Sequence, residues 1–182
     1  RLPHPDMGEI LLATRLYFQE KSLRYYHKKR HEGYLRHLLI RRAEKTGEIL
    51  LSLVHSTQLP AEEEEKILRG WRDRLLSLEK EGKLEGSYAG ILHTKNDSLA
   101  DAVINDGTEA LYGKDYFYEE LLGLNFKITP FSFFQTNTLG AEKLYAKVQE
   151  YSSFSENAEE KPVIYDLYSG TGTITQLMSK VA

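Results

Sequence analysis

The sequence predicts an α+β central domain on an antiparallel sheet, followed by the first βα unit of a Rossmann-like α/β domain that is cut short. Three observations predict it. Apolar residues recur at helical spacing in two segments, with alternating strand-like runs between them. A series of short apolar runs between residues 88 and 129 is punctuated by Gly, Asn and Asp. A final apolar run, Val163 to Tyr168, breaks into Ser169-Gly170-Thr171-Gly172 and a second helical pattern.

The elements follow in order. Met7, Ile10, Leu11, Thr14 and Phe18 predict an amphipathic helix over roughly 7–21, with Asp6 as its N-cap. The runs 34–41 and 48–55, joined by the turn signal Glu44-Lys45-Thr46-Gly47, predict a β-hairpin. Pro60 and the acids Glu62 to Glu65 open a helix whose stripe is Ile67, Leu68, Trp71, Leu75 and Leu78; Gly82 ends it. Short strands are expected at 88–93, 102–104, 109–112, 116–118 and 124–129. Pro130 closes this unit. A helix over about 139–151 follows, capped by Asn137 or Thr138, with Ala141, Leu144, Val148 and Tyr151 on one face. Residues 152–161 read as a polar linker, and 163–168 as a buried parallel strand. Domains are expected at 1–129 and 130–182.

Composition narrows the chemistry. The 182 residues hold 12 Tyr and 7 Phe at a net charge of only −3, which excludes a disordered class. With no cysteine, the chain cannot build a disulfide scaffold, a zinc-thiolate site, an iron–sulfur cluster or a thiol nucleophile. No metal site is expected. No apolar run reaches the ~18 residues of a membrane span, and no signal-peptide pattern is present, so no membrane contact and a cytoplasmic setting are expected. The chain starts at Arg1 without Met and ends inside a helical pattern, which reads as a piece of a longer protein.

The charge is uneven. Residues 1–50 carry 11 basic and 6 acidic residues, net +5, and the rest carry 13 and 21, net −8. Lys21 to Arg42 holds eight basic residues, among them Lys28, Arg30 and Arg36, against the single acid Glu32, with tyrosines and histidines interleaved. Cations attract phosphate and aromatics stack on unpaired bases, so the stretch is either an RNA contact or a solvated basic face. Arg36 and His37 are adjacent on a strand and face opposite ways, so one of them reaches a given surface, and Arg36 is the candidate.

The Gly turn has its own chemistry. Asp166-x-x-x-Gly170-x-Gly172 lacks the third glycine of a dinucleotide fingerprint and the Lys-Ser/Thr of a P-loop. An acid ahead of two glycines suits S-adenosylmethionine, which carries an amino group and a sulfonium and no phosphate. The alternative is an ordinary tight βα turn.

Three separated motifs resemble the RNA uracil-C5 methyltransferase family. They are Phe126 to Asn137 with Ala141-Glu142-Lys143-Leu144-Tyr145, then Asp166 to Ile174, and Gly33 to Arg41 with Thr46-Gly47-Glu48 and Leu111-Tyr112-Gly113. The resemblance spans about residues 30–182. It implies S-adenosylmethionine as cofactor, RNA as partner (23S rRNA ahead of tRNA) and 5-methyluridine as product. The closing βα unit would then be the start of a class I methyltransferase domain. It implies Gln135, Tyr168, Gly170, Gly172, Thr173 and Asp166 as donor contacts. Phe133 would face the target base; Arg36, Lys28 and Arg30 of the basic stretch are the candidate RNA contacts. A glutamine amide both donates and accepts, which suits a zwitterionic amino-acid moiety. The alternative for Gln135 is support of the following helix cap, and one of Phe133 and Phe134 is expected to be packing.

The departures from the family are Ser169 in place of a cysteine and Thr129 in place of a serine. The family's N-terminal RNA-binding barrel is missing. The family's mechanism needs a cysteine thiolate to attack C6 of uracil and a carboxylate base to remove the C5 proton. Neither is present at a matching position, so no catalytic residue is assigned. The piece alone is expected to be inactive, and to bind the donor poorly. Residues 152–182 are expected to be mobile or to self-associate through the unpaired strand. The competing readings are a non-catalytic RNA-binding module with a degenerate donor site, and a methyltransferase of protein or small molecules.

Overall fold

A computed structural model describes residues 4–100, 103–152 and 163–179. Helix α1 (Pro5–Glu20) precedes the hairpin β1 (Leu35–Arg42) and β2 (Glu48–His55). Helix α2 (Ala61–Lys80) leads to β3 (Ser87–Lys95) and β4 (Gly107–Gly113). The hairpin β5 (Phe117–Leu121) and β6 (Leu124–Ile128) is followed by α3 (Thr138–Ser152) and α4 (Thr173–Met178). No helix among the described residues is long and apolar enough to cross a membrane.

The four-stranded sheet has the order β1-β2-β3-β4, and β5-β6 form a separate two-stranded sheet. The larger sheet corrects the antiparallel expectation. β2 and β3 pair in parallel, while β1–β2 and β3–β4 are antiparallel. The cause is α2, which carries the chain from one end of β2 back to the start of β3; a crossover helix makes its two strands parallel.

β2 is buried along almost its whole length, because the sheet is covered on both sides. Alternate residues serve two clusters. Ile49, Leu51 and Leu53 face Ile10, Phe18, Trp71 and Leu75 of the two long helices. Leu50 and Leu92 face Phe117, Phe126, Ile128, Ala141, Tyr145 and Leu177. The second cluster draws on both sides of the 129/130 boundary. The expected α2 stripe is buried in full.

Several local expectations are corrected. The N-cap of α1 is His4, whose ring nitrogen accepts from the Asp6 amide at 3.2 Å. Asp6 is the second residue of the helix and is buried, because Arg42 and the amides of Glu85 and Gly86 converge on its carboxylate. Val103 and Ile104 form no strand, and Ala102 lies outside the described residues. The buried face of α3 is Thr138, Ala141 and Tyr145, whereas Leu144 and Tyr151 are exposed. Residues 163–168 form no strand, and Val163, Tyr165, Leu167 and Tyr168 are exposed. A strand exists only by pairing with another strand, and neither sheet pairs with this segment. Most of the expected linker, 153–161, lies outside the described residues. The expected mobility of 152–182 is therefore addressed only at 163–179, where α4 packs on α3.

Gly33 shapes the basic arm ahead of β1. It has φ of 119°, and a Cβ there would stand 2.4 Å from the Tyr25 carbonyl oxygen. That close approach lets Tyr34 and Leu35 amides bond to the Arg24 carbonyl. Gly33→Ala is expected to detach the arm at a cost of about 1–3 kcal/mol. Amide exchange of Tyr26 and Tyr34 should accelerate while that of Leu92 does not.

Candidate functional site

The loop between β6 and α3 carries the first motif. Pro130 begins a turn closed by the Ser132 amide on the Thr129 carbonyl, at 3.3 Å, and by the two hydroxyls 2.7 Å apart. Arg41 on β1 grips this turn: Nη1 donates to the Thr129 carbonyl and Nη2 to the Ser132 carbonyl, both at 2.7 Å. Phe133 is 71% exposed, whereas Phe134 packs on Phe126 with ring centres 5.8 Å apart. Gln135 is exposed. Asn137, not Gln135, caps α3, accepting from the Gly140 amide at 3.0 Å.

Glu119 locks the helix start to the hairpin below. Its buried carboxylate accepts from the Glu44 and Lys45 amides and from the Thr138 hydroxyl at 2.6, 3.2 and 2.9 Å. Lys45 pairs with Glu142, whose carboxyl is held below the usual range by Lys45 first and by the Leu122 amide second.

The second motif lies on α4 and the turn before it. Gly170 and Gly172 have φ of 55° and 70°, and Tyr168, fully exposed, has φ of 63°. An L-residue rarely adopts that conformation without need. Asp166 accepts from the Thr175 hydroxyl at 2.6 Å, and Thr173 is buried beside Thr171. The Gln149 amide reaches the Leu177 carbonyl at 2.7 Å and ties α4 to α3.

The two motifs border neighbouring cavities. Gln135 lines one of about 90 Å³ with Arg41, Arg42, Glu119 and Thr138. Thr171 and Gln176 line another, of about 190 Å³, with Phe133 and Phe134. Phe134 borders both; neither cavity is lined by both Gln135 and a residue of the Gly turn.

The basic stretch is divided in use. Lys28 and Arg30 are exposed in a turn whose amides at Lys29 and Arg30 bond to the His27 ring. Arg36 points elsewhere. It donates to the carbonyls of Asn96, Ser98 and Ala100 at 2.8, 2.8 and 3.2 Å, and stands 4.1 Å from the Tyr26 ring centre. It therefore holds the 96–100 loop.

Two features were invisible to sequence reasoning. One is the Arg41 grip; a strand arginine carries no signal of its distant partner. The other is the buried pair His55–His93, with ring nitrogens 2.9 Å apart and Tyr34 stacked on His55. Burial pushes both imidazoles down, His93 to about 4 with His55 adding to the effect. No group of three or more metal-ligating side chains occurs among the described residues.

The described residues join a helix-covered mixed sheet, an aromatic-glutamine loop and a glycine turn. No protein-family model matches the chain. By sequence it is similar to proteins named RNA methyltransferases. It is 46% identical over 177 residues to an uncharacterized RNA methyltransferase of Caldanaerobacter subterraneus, and 47% identical over 177 residues to one of Clostridium tetani. Each match covers 97% of this chain and 36% of the relative, so the chain spans about a third of their length. By structure it is similar to the tRNA (uracil-54, C5)-methyltransferase of Pyrococcus abyssi in complex with S-adenosyl-L-homocysteine. There the TM-score is 0.64 at 26% identity, over 96% of this chain and 37% of that one.

The site fits a sulfonium donor in chemistry and only partly in space. An amide, an acid and two positive-φ glycines supply the needed donors, acceptors and close backbone approach. Ligand pockets for molecules of drug size run from roughly 300 Å³ upward. Neither cavity reaches that volume.

Proposed function

We propose that the chain is the central domain and the opening of the catalytic domain, divided at 129/130, of an S-adenosylmethionine-dependent RNA uracil-C5 methyltransferase. The single observation that carries this is the placement of the Phe133-Phe134-Gln135 loop next to the Gly170–Thr173 turn, with Phe134 bordering both cavities. The relatives' names and the P. abyssi structure support it. Gln135, Tyr168, Gly170, Gly172, Thr173 and Asp166 are the proposed donor contacts, and Phe133 faces the target base. Lys28 and Arg30 contact RNA, and Arg36 acts there by shaping the 96–100 loop beside Tyr26.

The proposed substrate is 23S rRNA. The test is methyl transfer by the gene product that contains these residues, on transcribed 23S rRNA and tRNA, with the product nucleoside mapped. The expected result is 5-methyluridine in 23S rRNA. RNA binding without transfer would leave a non-catalytic binding module. The 182 residues, lacking cysteine, are expected to transfer no methyl group by themselves. Their exposed apolar run at 163–168 is the proposed self-association segment, and sedimentation of Tyr165→Asp against the parent chain tests it.

RNA affinity of the chain should fall steeply with salt. Replacing Lys28 and Arg30 with alanine should lower the slope of log affinity against log salt by about one per lost phosphate contact. An unchanged slope would place the RNA elsewhere.

A further inference from the structure

We infer that Arg41 is the positioning residue of the site: its guanidinium anchors the Thr129–Ser132 turn to the sheet and so sets where Phe133 and Gln135 stand. The inference rests on the reading of Gln135 as a donor contact. Arg41 lies near the hairpin-turn end of the β1–β2 ladder, paired with Leu50, which fixes its backbone. Its neighbour Arg42 faces the other way and binds Asp6. Two adjacent arginines thus tie the edge strand to different partners, α1 on one side and the motif loop on the other.

The geometry demands a guanidinium. Two carbonyls three residues apart each accept one 2.7 Å bond from different nitrogens of one fork. A lysine ammonium reaches as a point and does not reproduce the fork. The far end of the loop is held by Asn137 at the start of α3, and its middle by Phe134 on Phe126. Arg41 supplies the near end. It also lines the cavity that Gln135 borders, so the anchor and the anchored side chain share one wall. The half-buried guanidinium strengthens both bonds by excluding water around them.

The test uses the 182-residue chain with Arg41→Lys and Arg41→Ala. Amide exchange is read at Thr129 and Ser132, with Leu51 and Leu92 as core references. Arg41→Ala should accelerate exchange at the two loop amides by about tenfold or more, and Arg41→Lys by less, with the references unchanged. Unchanged loop amides in both variants would overturn the inference, as would equal acceleration at the references in Arg41→Lys. Should Arg41→Ala fail to fold, Arg41→Lys decides.

A second readout separates this claim from the donor reading. S-adenosylhomocysteine at millimolar concentration is titrated against the chain, following the Gln135 side-chain amide and the Thr173 backbone amide by NMR. The expected result is a response at both sites in the parent, weakened at Gln135 and kept at Thr173 in Arg41→Lys. Equal weakening at both would overturn the positioning role. No response in the parent chain would remove the donor reading, and the exchange data would still decide whether Arg41 anchors the loop.

Discussion

Replacing Trp71 with alanine is expected to cost about 3–5 kcal/mol and to lower the melting temperature by roughly 10 °C. Trp71 is the largest fully buried side chain and sits where α2 meets α1 over the sheet. Its ring lies 6.2 Å from that of Phe18, and its indole N–H donates to the Thr14 hydroxyl at 3.1 Å. Truncation therefore opens a cavity and also leaves a buried hydroxyl without its partner. Trp71→Phe keeps most of the volume and should cost less than half as much. Trp71 is the chain's one tryptophan, so unfolding of both variants is followed by circular dichroism. A loss under 1 kcal/mol for Trp71→Ala would mean that α2 does not close this core.

Asp6→Ala is expected to cost about 3–5 kcal/mol, because it leaves the Arg42 guanidinium buried without its counter-charge. The carboxylate holds Arg42 Nε at 2.8 Å and the amides of Glu85 and Gly86 at 2.8 and 3.1 Å. Asp6→Asn keeps one acceptor oxygen and should lose less. Burial raises the Asp6 pKa, but the Arg42 bond and the two amides together outweigh it and leave the group below its ordinary value. A depressed carboxyl contributes stability above its unfolded pKa, near 3.9, and loses that contribution as pH falls through its folded value.

The histidine pair titrates in a different window. His55 and His93 are held neutral, so protonating them opposes the native state once pH drops below about 6.5, down to the His93 value of about 4. Urea unfolding across pH should show a first decline from the histidines and a second, below pH 4, from Asp6. His93→Gln should flatten the first decline. Asp6→Asn should flatten only the second. A single decline that both substitutions flatten alike would contradict this division.

Much of the fold was legible because its signals are local. The β1–β2 hairpin follows from two apolar runs around Glu44 to Gly47, and α2 follows from Pro60, its acids and a five-residue stripe. The motif loop was legible as a string of residue types. Its mechanics were not: Arg41 meets Thr129 and Ser132 across nearly ninety positions of chain. Charge, interleaved aromatics and strand alternation make Arg36 an RNA candidate, yet three carbonyls of one loop accept from its guanidinium.

The sequence by itself determined the two long helices and the β1–β2 hairpin, since apolar period and turn residues are properties of a few neighbouring residues. It also determined the chemistry on offer at Gln135, Asp166 and the two glycines. Tertiary structure alone decided the parallel pairing of β2 with β3, the burial of Asp6 and the absence of a strand at 163–168. The physical reason is that a strand, a buried charge or an anchored loop is stable only with a distant partner, and that partner's position is a property of the assembled fold.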